Sequence, residues 1–462
     1  MARLGAARGV PSGGGHAFFI PTIEVLQPGS HLRWGVAMDE RGSGGGATVL
    51  RGARILDAQR GRILDPCEVL IAEGRIRAIA PRVEAAPGTA EVDAGEGVVM
   101  PGLIDCHVHV LASQLHLGRL ARLPNVLASL RAVPILKAML RRGFTTVRDA
   151  GGADFALAQA VEDGTIEGPR IYPSGRALSQ TGGHGDMRER GDSVEPCACA
   201  PNVGAIARVV DGVDAVRKAV REEIQRGARQ IKIMASGGVA SPNDPIHFLG
   251  YSEDEIRAAV EEAANAGTYV MAHAYTARAI VRAVRCGVRS IEHGNLVDAE
   301  AARVMADHGA IAVPTLITYE ALAREGAALG LAPESVAKIE AVRGKGLSSL
   351  RIYADAGVRM AFGSDLLGAS HRFQSEEFRL RAGVLGAAEA IRAATVHAAY
   401  LLGEEGQLGV VGVGAIADLL LVKGNPLEDI GLLCDQADEA IAWVMKDGQV
   451  VARASCAAKQ AT

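Results

Sequence analysis

Residues 98–110 read VVMPGLIDCHVHV, an apolar run that ends in two histidines, His107 and His109, two positions apart. Side chains at i and i+2 share one face of a β-strand, so both imidazoles can reach a single point. Imidazole suits zinc and its neighbours, and Pro101-Gly102 sets off a strand whose carboxyl end carries the pair. Two histidines at this spacing also arise by chance, closing an ordinary strand with polar tips. The metal reading therefore requires further ligands downstream.

Composition narrows what those could serve. The chain has 462 residues, 48% hydrophobic and only 4% aromatic, the aliphatic texture usual for α/β proteins. Its formal net charge is −4 and it holds no polybasic run, which favours a small-molecule substrate over a nucleic-acid partner. No stretch reaches the ~18 apolar residues of a membrane span, so a soluble protein with no membrane partner is expected. The 7 cysteines, an odd number spread from Cys67 to Cys456, do not form a secreted disulfide framework at this size. A reducing cytoplasmic location fits them.

Residues 1–46 carry GVPSGGGH and RGSGGG without a sustained apolar period, and read as a flexible leader in which Met38 offers an alternative start. From residue 47 short strands alternate with turns at 57–61 and at Glu73-Gly74. A similar texture returns near the other end, where AIAWVMKDGQVVARA reads as a hairpin turning at Asp447-Gly448. Between them TTVRDA, RIYPSG, QIKIMASGG, YVMAHAY, SIEHG, AIAVPTL and RMAFGSD alternate with helical stretches such as SEDEIRAAVEEAANAG. With the opening strand these make about eight βα units, the count of a closed parallel barrel. The expected fold is α/β: a (β/α)8 TIM-like barrel over 98–404, with a small β-sandwich built from both chain ends, 47–97 and 405–454, and a tail at 455–462. An open doubly wound sheet is the alternative, but no Gly-rich dinucleotide turn follows the first strand.

A barrel gathers strand carboxyl ends on one face, and the polar residues fall there. His107 and His109 close the first strand, Lys232 lies in the fourth, and His273, His293 and Asp365 end the fifth, sixth and eighth. Any one of these alone reads as a hydrogen-bonded structural residue. Their recurrence at corresponding positions points to one metal centre.

The segments PGLIDCHVH, QIKIMASGG, AHAY, IEHG and FGSD together resemble the metal-dependent amidohydrolase superfamily, over about residues 47–454. Within it the chain most resembles the bacterial Xaa-Pro dipeptidase-like and imidazolonepropionase-like branch, a likeness carried by LPNVLASLRAVPILKAMLRRGFTTVRDAGG, SGRALSQTGGHGD and MASGGVASPNDP. The resemblance implies a homo-oligomer with a binuclear centre, usually zinc, bridged by a CO2-derived carbamate on Lys232. One ion would be held by His107, His109, Lys232 and Asp365, the other by Lys232, His273 and His293. A free ammonium between two cations is repelled, whereas a carbamate offers two oxygens and a negative charge. The implied reaction is amide hydrolysis by a metal-bound hydroxide, with Asp365 as general base. His184 in TGGHGD and Tyr275 in AHAY would donate to the oxyanion, against the plainer readings that His184 caps a loop and Tyr275 packs.

Other residues read more plainly. Cys197 and Cys199 are too few for a closed zinc site and are loop thiols. Cys106 faces away from the metal by strand alternation. His16 and His31 lie in the leader, and His308 and His397 in helical patterns that suit solvent or packing. His247 and Tyr251 fall in the long loop after the fourth strand. Residues 180–202 are long enough for a lid, and Arg188, Arg190 and Arg148 are candidates to meet a substrate carboxylate. The expected substrates are small dipeptides, Xaa-Pro or Xaa-hydrophobic, or N-acyl amino acids including N-acyl-phenylalanine of the ochratoxin type. A cyclic-amide hydrolase of imidazolone or hydantoin type is the alternative within the fold, and a noncatalytic barrel the alternative outside enzymology.

Overall fold

The computed structural model describes residues 46–188, 202–241, 244–328, 331, 333–434 and 436–453. Leader residues 1–45 with His16, His31 and Met38, the thiols Cys197 and Cys199, Arg190 and the tail 455–462 lie outside them.

The two chain ends pair in one nine-stranded sheet. Strand Thr48–Asp57 is its pivot, lying parallel to Ala90–Asp93 over its first half and to Val98–Pro101 over its second. A register shift between Leu50 and Ala53, against strand Cys67–Ala72, marks the change. Strand Val98–Pro101 then pairs with Leu419–Val422, which pairs with the hairpin strand Ile441–Lys446. Leu50, Ile55, Val69, Val99, Leu421 and Trp443 from both ends fill one core. The hairpin turns sit where the sequence places them: Glu73-Gly74 and Asp447-Gly448 all have positive φ, as a two-residue turn matched to strand twist requires.

The central strands are parallel and alternate with helices. Leu103–Val108, Phe144–Asp149 and Arg170–Tyr172 form one ladder. A second holds Ala207–Val209, Ala177–Ser179, Ile231–Met234, Val270–Thr276, Ser290–Leu296 and Ile311–Val313, in that order. Arg229 N donates to Pro173 O at 2.7 Å, beside the first ladder, and the buried Gln230 amide donates to Asp149 O and Tyr172 O. On the far side the segment RMAFGSD differs from expectation. It makes a single bridge, Ala312 to Met360, and no strand ladder. Its backbone is shared between two neighbours: Ala361 N donates to Ala312 O at 2.9 Å and Cys106 N to Phe362 O at 2.7 Å. Asp365 then turns at φ +52° and donates its N–H to His107 O, which carries the backbone across the strand end.

The helices follow their apolar periodicity. Val213–Gln225 buries Val216, Ala219 and Val220. Glu253–Asn265 starts at a reciprocal Ser252/Glu255 capping box and buries Ile256, Ala259 and Ala263. These faces meet Ile231, Ile233, Val270, Ala272 and Ile291 in a shared core, where each fully buried valine or isoleucine contributes about 1.5–3 kcal/mol of transfer free energy. Among the described residues no helix is long and apolar enough to cross a membrane.

Candidate metal centre

Strand ends bring the sequence-predicted residues together. His107, His293 and Asp365 offer ligand atoms within 4.8 Å of one another. Asp365 Oδ1 lies 3.4 Å from His109 Nε2 and 3.5 Å from His107 Nε2, and Lys232 Nζ lies 3.5 Å from that same nitrogen. The His273 ring centroid is 4.6 Å from that of His293, and His184 stacks on His273 at 4.2 Å. Tyr275 stacks on His293 at 5.3 Å.

Local backbone explains why the IEHG segment can aim His293 inward. His293 and Gly294 both adopt positive φ, +72° and +63°, which the histidine tolerates only because its surroundings fix it. A Cβ on Gly294 would fall 1.9 Å from the Tyr353 hydroxyl, which donates to Gly294 O at 3.0 Å. Only glycine fits that contact.

Each histidine is oriented through one nitrogen, which leaves the other for a ligand. His107 Nδ1 meets Glu292 Oε2 at 2.6 Å, His109 Nδ1 donates to Gly151 O at 2.9 Å, and His293 Nδ1 pairs with Thr315 Oγ1 at 2.8 Å. His273 Nε2 donates to Gly237 O at 3.1 Å. Burial holds His107, His273 and His293 well below the usual imidazole range, reinforced by the charges around them, so they are neutral. Burial also lowers Lys232 to about 8, against the pull of Glu292 and Asp365, which brings the neutral amine within reach at physiological pH. Three neutral imidazoles, a carboxylate and a readily deprotonated lysine form a donor set that suits divalent zinc.

Two partners escaped sequence reasoning. Arg148 is completely buried, donates to both oxygens of Glu292 at 2.9 Å and to Cys106 O at 2.6 Å, and so is not placed to meet a substrate carboxylate. It neutralises Glu292, which in turn fixes His107. Asp105 accepts from His107 N at 3.0 Å, Ser364 Oγ at 2.5 Å and Gln374 Nε2 at 2.9 Å, tying the first strand to the segment before Asp365. The only sequence signal for Glu292 is an acidic residue inside an apolar strand. Glu292→Gln would leave the buried Arg148 without its carboxylate counter-charge, so it is expected to weaken metal affinity about 10–100-fold and lower Tm. Chelator competition and thermal melts measure both; unchanged values would show that His107 needs no carboxylate partner.

The remaining candidates are accounted for. Arg188 is held by Asp186, at 2.7 and 2.5 Å. Cys106 packs among Ile311, Val313 and Ala361, and burial pushes its thiol up to about 12. His308 bonds its own helix at Val304 O, His397 bonds Met360 O, and Tyr251 is buried. His247 lies edge-on to Phe248.

The model of the amidohydrolase family matches residues 98–451, and the chain belongs to that family. Its fold is the amidohydrolase fold, of TIM-barrel type with mixed α/β content. A solved prolidase complexed with N-methylphosphonate-L-proline is 62% identical, with a TM-score of 0.87, covering 88% of this chain and 100% of that one. A Xaa-Pro dipeptidase with methionine bound in its active site is 30% identical, with a TM-score of 0.78, covering 87% and 99%. Ochratoxinase of Aspergillus niger is 36% identical over 367 residues, 76% of this chain and 75% of its own.

Proposed function

We propose that this enzyme is a binuclear metal-dependent hydrolase of small dipeptides or N-acyl amino acids, cleaving before proline or a hydrophobic residue, with N-acyl-phenylalanine of the ochratoxin type within its range. The observation that carries the reading is the cluster of His107, His293 and Asp365, with His109 beside Asp365, Lys232 beside His107 and His273 against His293, each histidine oriented through its other nitrogen. The likeness to a prolidase, a Xaa-Pro dipeptidase and ochratoxinase supports the substrate class.

In this reading His107, His109, Lys232 and Asp365 hold one ion, and His273, His293 and Lys232 the other, with Lys232 carboxylated. When bound, the ions, zinc by the donor chemistry, supply an activated water and polarise the scissile carbonyl. The chain does the rest. Asp365, whose side chain is 20% exposed where that of His107 is 1%, faces the opening and carries a proton from water to the leaving amine. His184 is oriented through Nδ1 by Ser241 Oγ at 2.7 Å, leaving Nε2 to donate to the oxyanion. Tyr275 shares a 2.9 Å hydrogen bond with Tyr319, and burial raises both phenols, so both stay protonated donors.

The proposal also takes the two parallel ladders as one eightfold barrel, closed through the 360–365 segment, with the chain-end sheet as a β-sandwich. A reducing cytoplasmic location and self-association are part of it.

A screen of Xaa-Pro, Xaa-hydrophobic and Xaa-Arg dipeptides and N-acyl amino acids, run with zinc, tests the function. Turnover of Xaa-Pro or N-acyl-phenylalanine is expected, lost on chelation, restored by metal and inhibited by N-methylphosphonate-L-proline. Ring opening of hydantoins or imidazolones by a protein retaining a single ion would overturn it.

A further inference from the structure

One side chain from outside the centre grips the loop that follows strand Ile231–Met234. Lys338, half-buried on helix Pro333–Asp355, directs its ammonium at three carbonyls of that loop: Gly238 O and Ser241 O at 3.1 Å and Asp244 O at 3.0 Å. An ammonium has three N–H donors, and all three are used. The same short stretch orients two rings of the centre. Gly237 O takes His273 Nε2 at 3.1 Å, Ser241 Oγ takes His184 Nδ1 at 2.7 Å, and Asp244 Oδ2 lies 3.5 Å from that nitrogen while accepting from Gly238 N at 2.8 Å. There is no slack in the packing: a Cβ on Gly238 would stand 2.0 Å from the His184 ring. The loop backbone therefore lies directly on the imidazole, and a shift in one moves the other.

We propose that Lys338 is a positioning residue for the reaction, tethering Gly238, Ser241 and Asp244 so that His184 and His273 keep their orientation. The inference rests on the roles given above to those two histidines. The loop reads GGVASPND, and its two leading glycines, Gly237 and Gly238, give its start more conformational freedom than other residues would. The ammonium supplies the restraint. It also places a positive charge beside Asp244, a buried carboxylate close to the His184 ring. Misplacing a reacting group by about 1 Å can cost roughly 10²-fold in rate, so a tether this specific has kinetic weight.

The experiment compares Lys338→Met, Lys338→Arg, His184→Asn and the Lys338→Met/His184→Asn double variant, on an amide substrate turned over in the screen and at saturating zinc. For Lys338→Met we expect parental zinc content, faster amide hydrogen exchange across residues 236–250, and kcat lower by about tenfold with KM changed less than threefold. Arginine keeps the charge but spreads its donors over a planar fork, and should fall between methionine and the parent. The double variant should lose less than the product of the two single losses, because both changes act in part through the same ring. Unchanged exchange across the loop, or losses that multiply in the double variant, would overturn the tether. Full activity in His184→Asn would instead overturn the role given to His184, and the exchange measurement would still judge the tether.

Discussion

Asp365→Asn is expected to reduce kcat by roughly 10²–10⁴-fold while the fold, the melting temperature and the zinc content stay close to parental. Asparagine is nearly isosteric and, like aspartate, accepts the left-handed φ of +52° found at this position. The Asp365 N–H to His107 O hydrogen bond of 2.8 Å belongs to the backbone and survives the change. An amide oxygen can still ligate, but an amide cannot take a proton from water and return it to an amine. The pKa of the Asp365 carboxylate is lowered: burial opposes the charge, but the hydrogen bond from His109 and the positive charge of neighbouring groups, Lys232 among them, outweigh it. Steady-state kinetics with metal analysis on the same sample decide the matter. A kcat near the parental value would remove Asp365 from proton transfer and leave it a ligand only.

How far this centre was legible in the sequence depends on the range of the interactions involved. His107 and His109 are legible because a strand's period of two is local, and Lys232 because a lysine within Gln230-Ile231-Lys232-Ile233-Met234 breaks an apolar pattern. Arg148 reads as a charged residue near a strand end, and on spacing alone it is a candidate for substrate contact. Spacing along a strand carries no information on depth, and the structure places Arg148 beneath the centre, paired with a residue 144 positions away. Glu292 and Asp105 matter only through partners as distant as 185 and 269 positions, so no local pattern marks them. The fold shows the same division. Helix caps and two-residue turns are local chemistry and fall where expected. The 360–365 segment has strand composition, yet its hydrogen bonds are divided between two neighbours and it forms no ladder. The short strands Ala177–Ser179 and Ala207–Val209 exist because they pair with each other across the 180–202 segment, a contact the sequence does not advertise.

Lys232→Ala is expected to abolish binuclear occupancy, leaving at most one tightly bound zinc per chain, with kcat lowered to an extent comparable with Asp365→Asn. Lys232 is 2% exposed, and burial there drives its pKa down from 10.5 to about 8, so the folded chain sheds this proton more readily than the unfolded one. A neutral amine can react with CO2, and in the proposed centre the carbamate so formed would ligate metal where an ammonium would repel it. Alanine removes the bridge and leaves a cavity of side-chain size facing His107. A small carboxylate such as acetate or propionate can fill that space and supply the same two oxygens, so partial recovery of zinc and turnover is expected at millimolar carboxylate, without bicarbonate. The metal-free protein offers a second readout. Between about pH 8 and 10.5 the unfolded chain binds a proton that folded Lys232 has released, so parental apo-protein stability should rise with pH across that window. The alanine variant should show a smaller rise, whatever its activity. Two zinc ions retained by Lys232→Ala would exclude the bridge; an undiminished rise in stability would show that Lys232 does not titrate there.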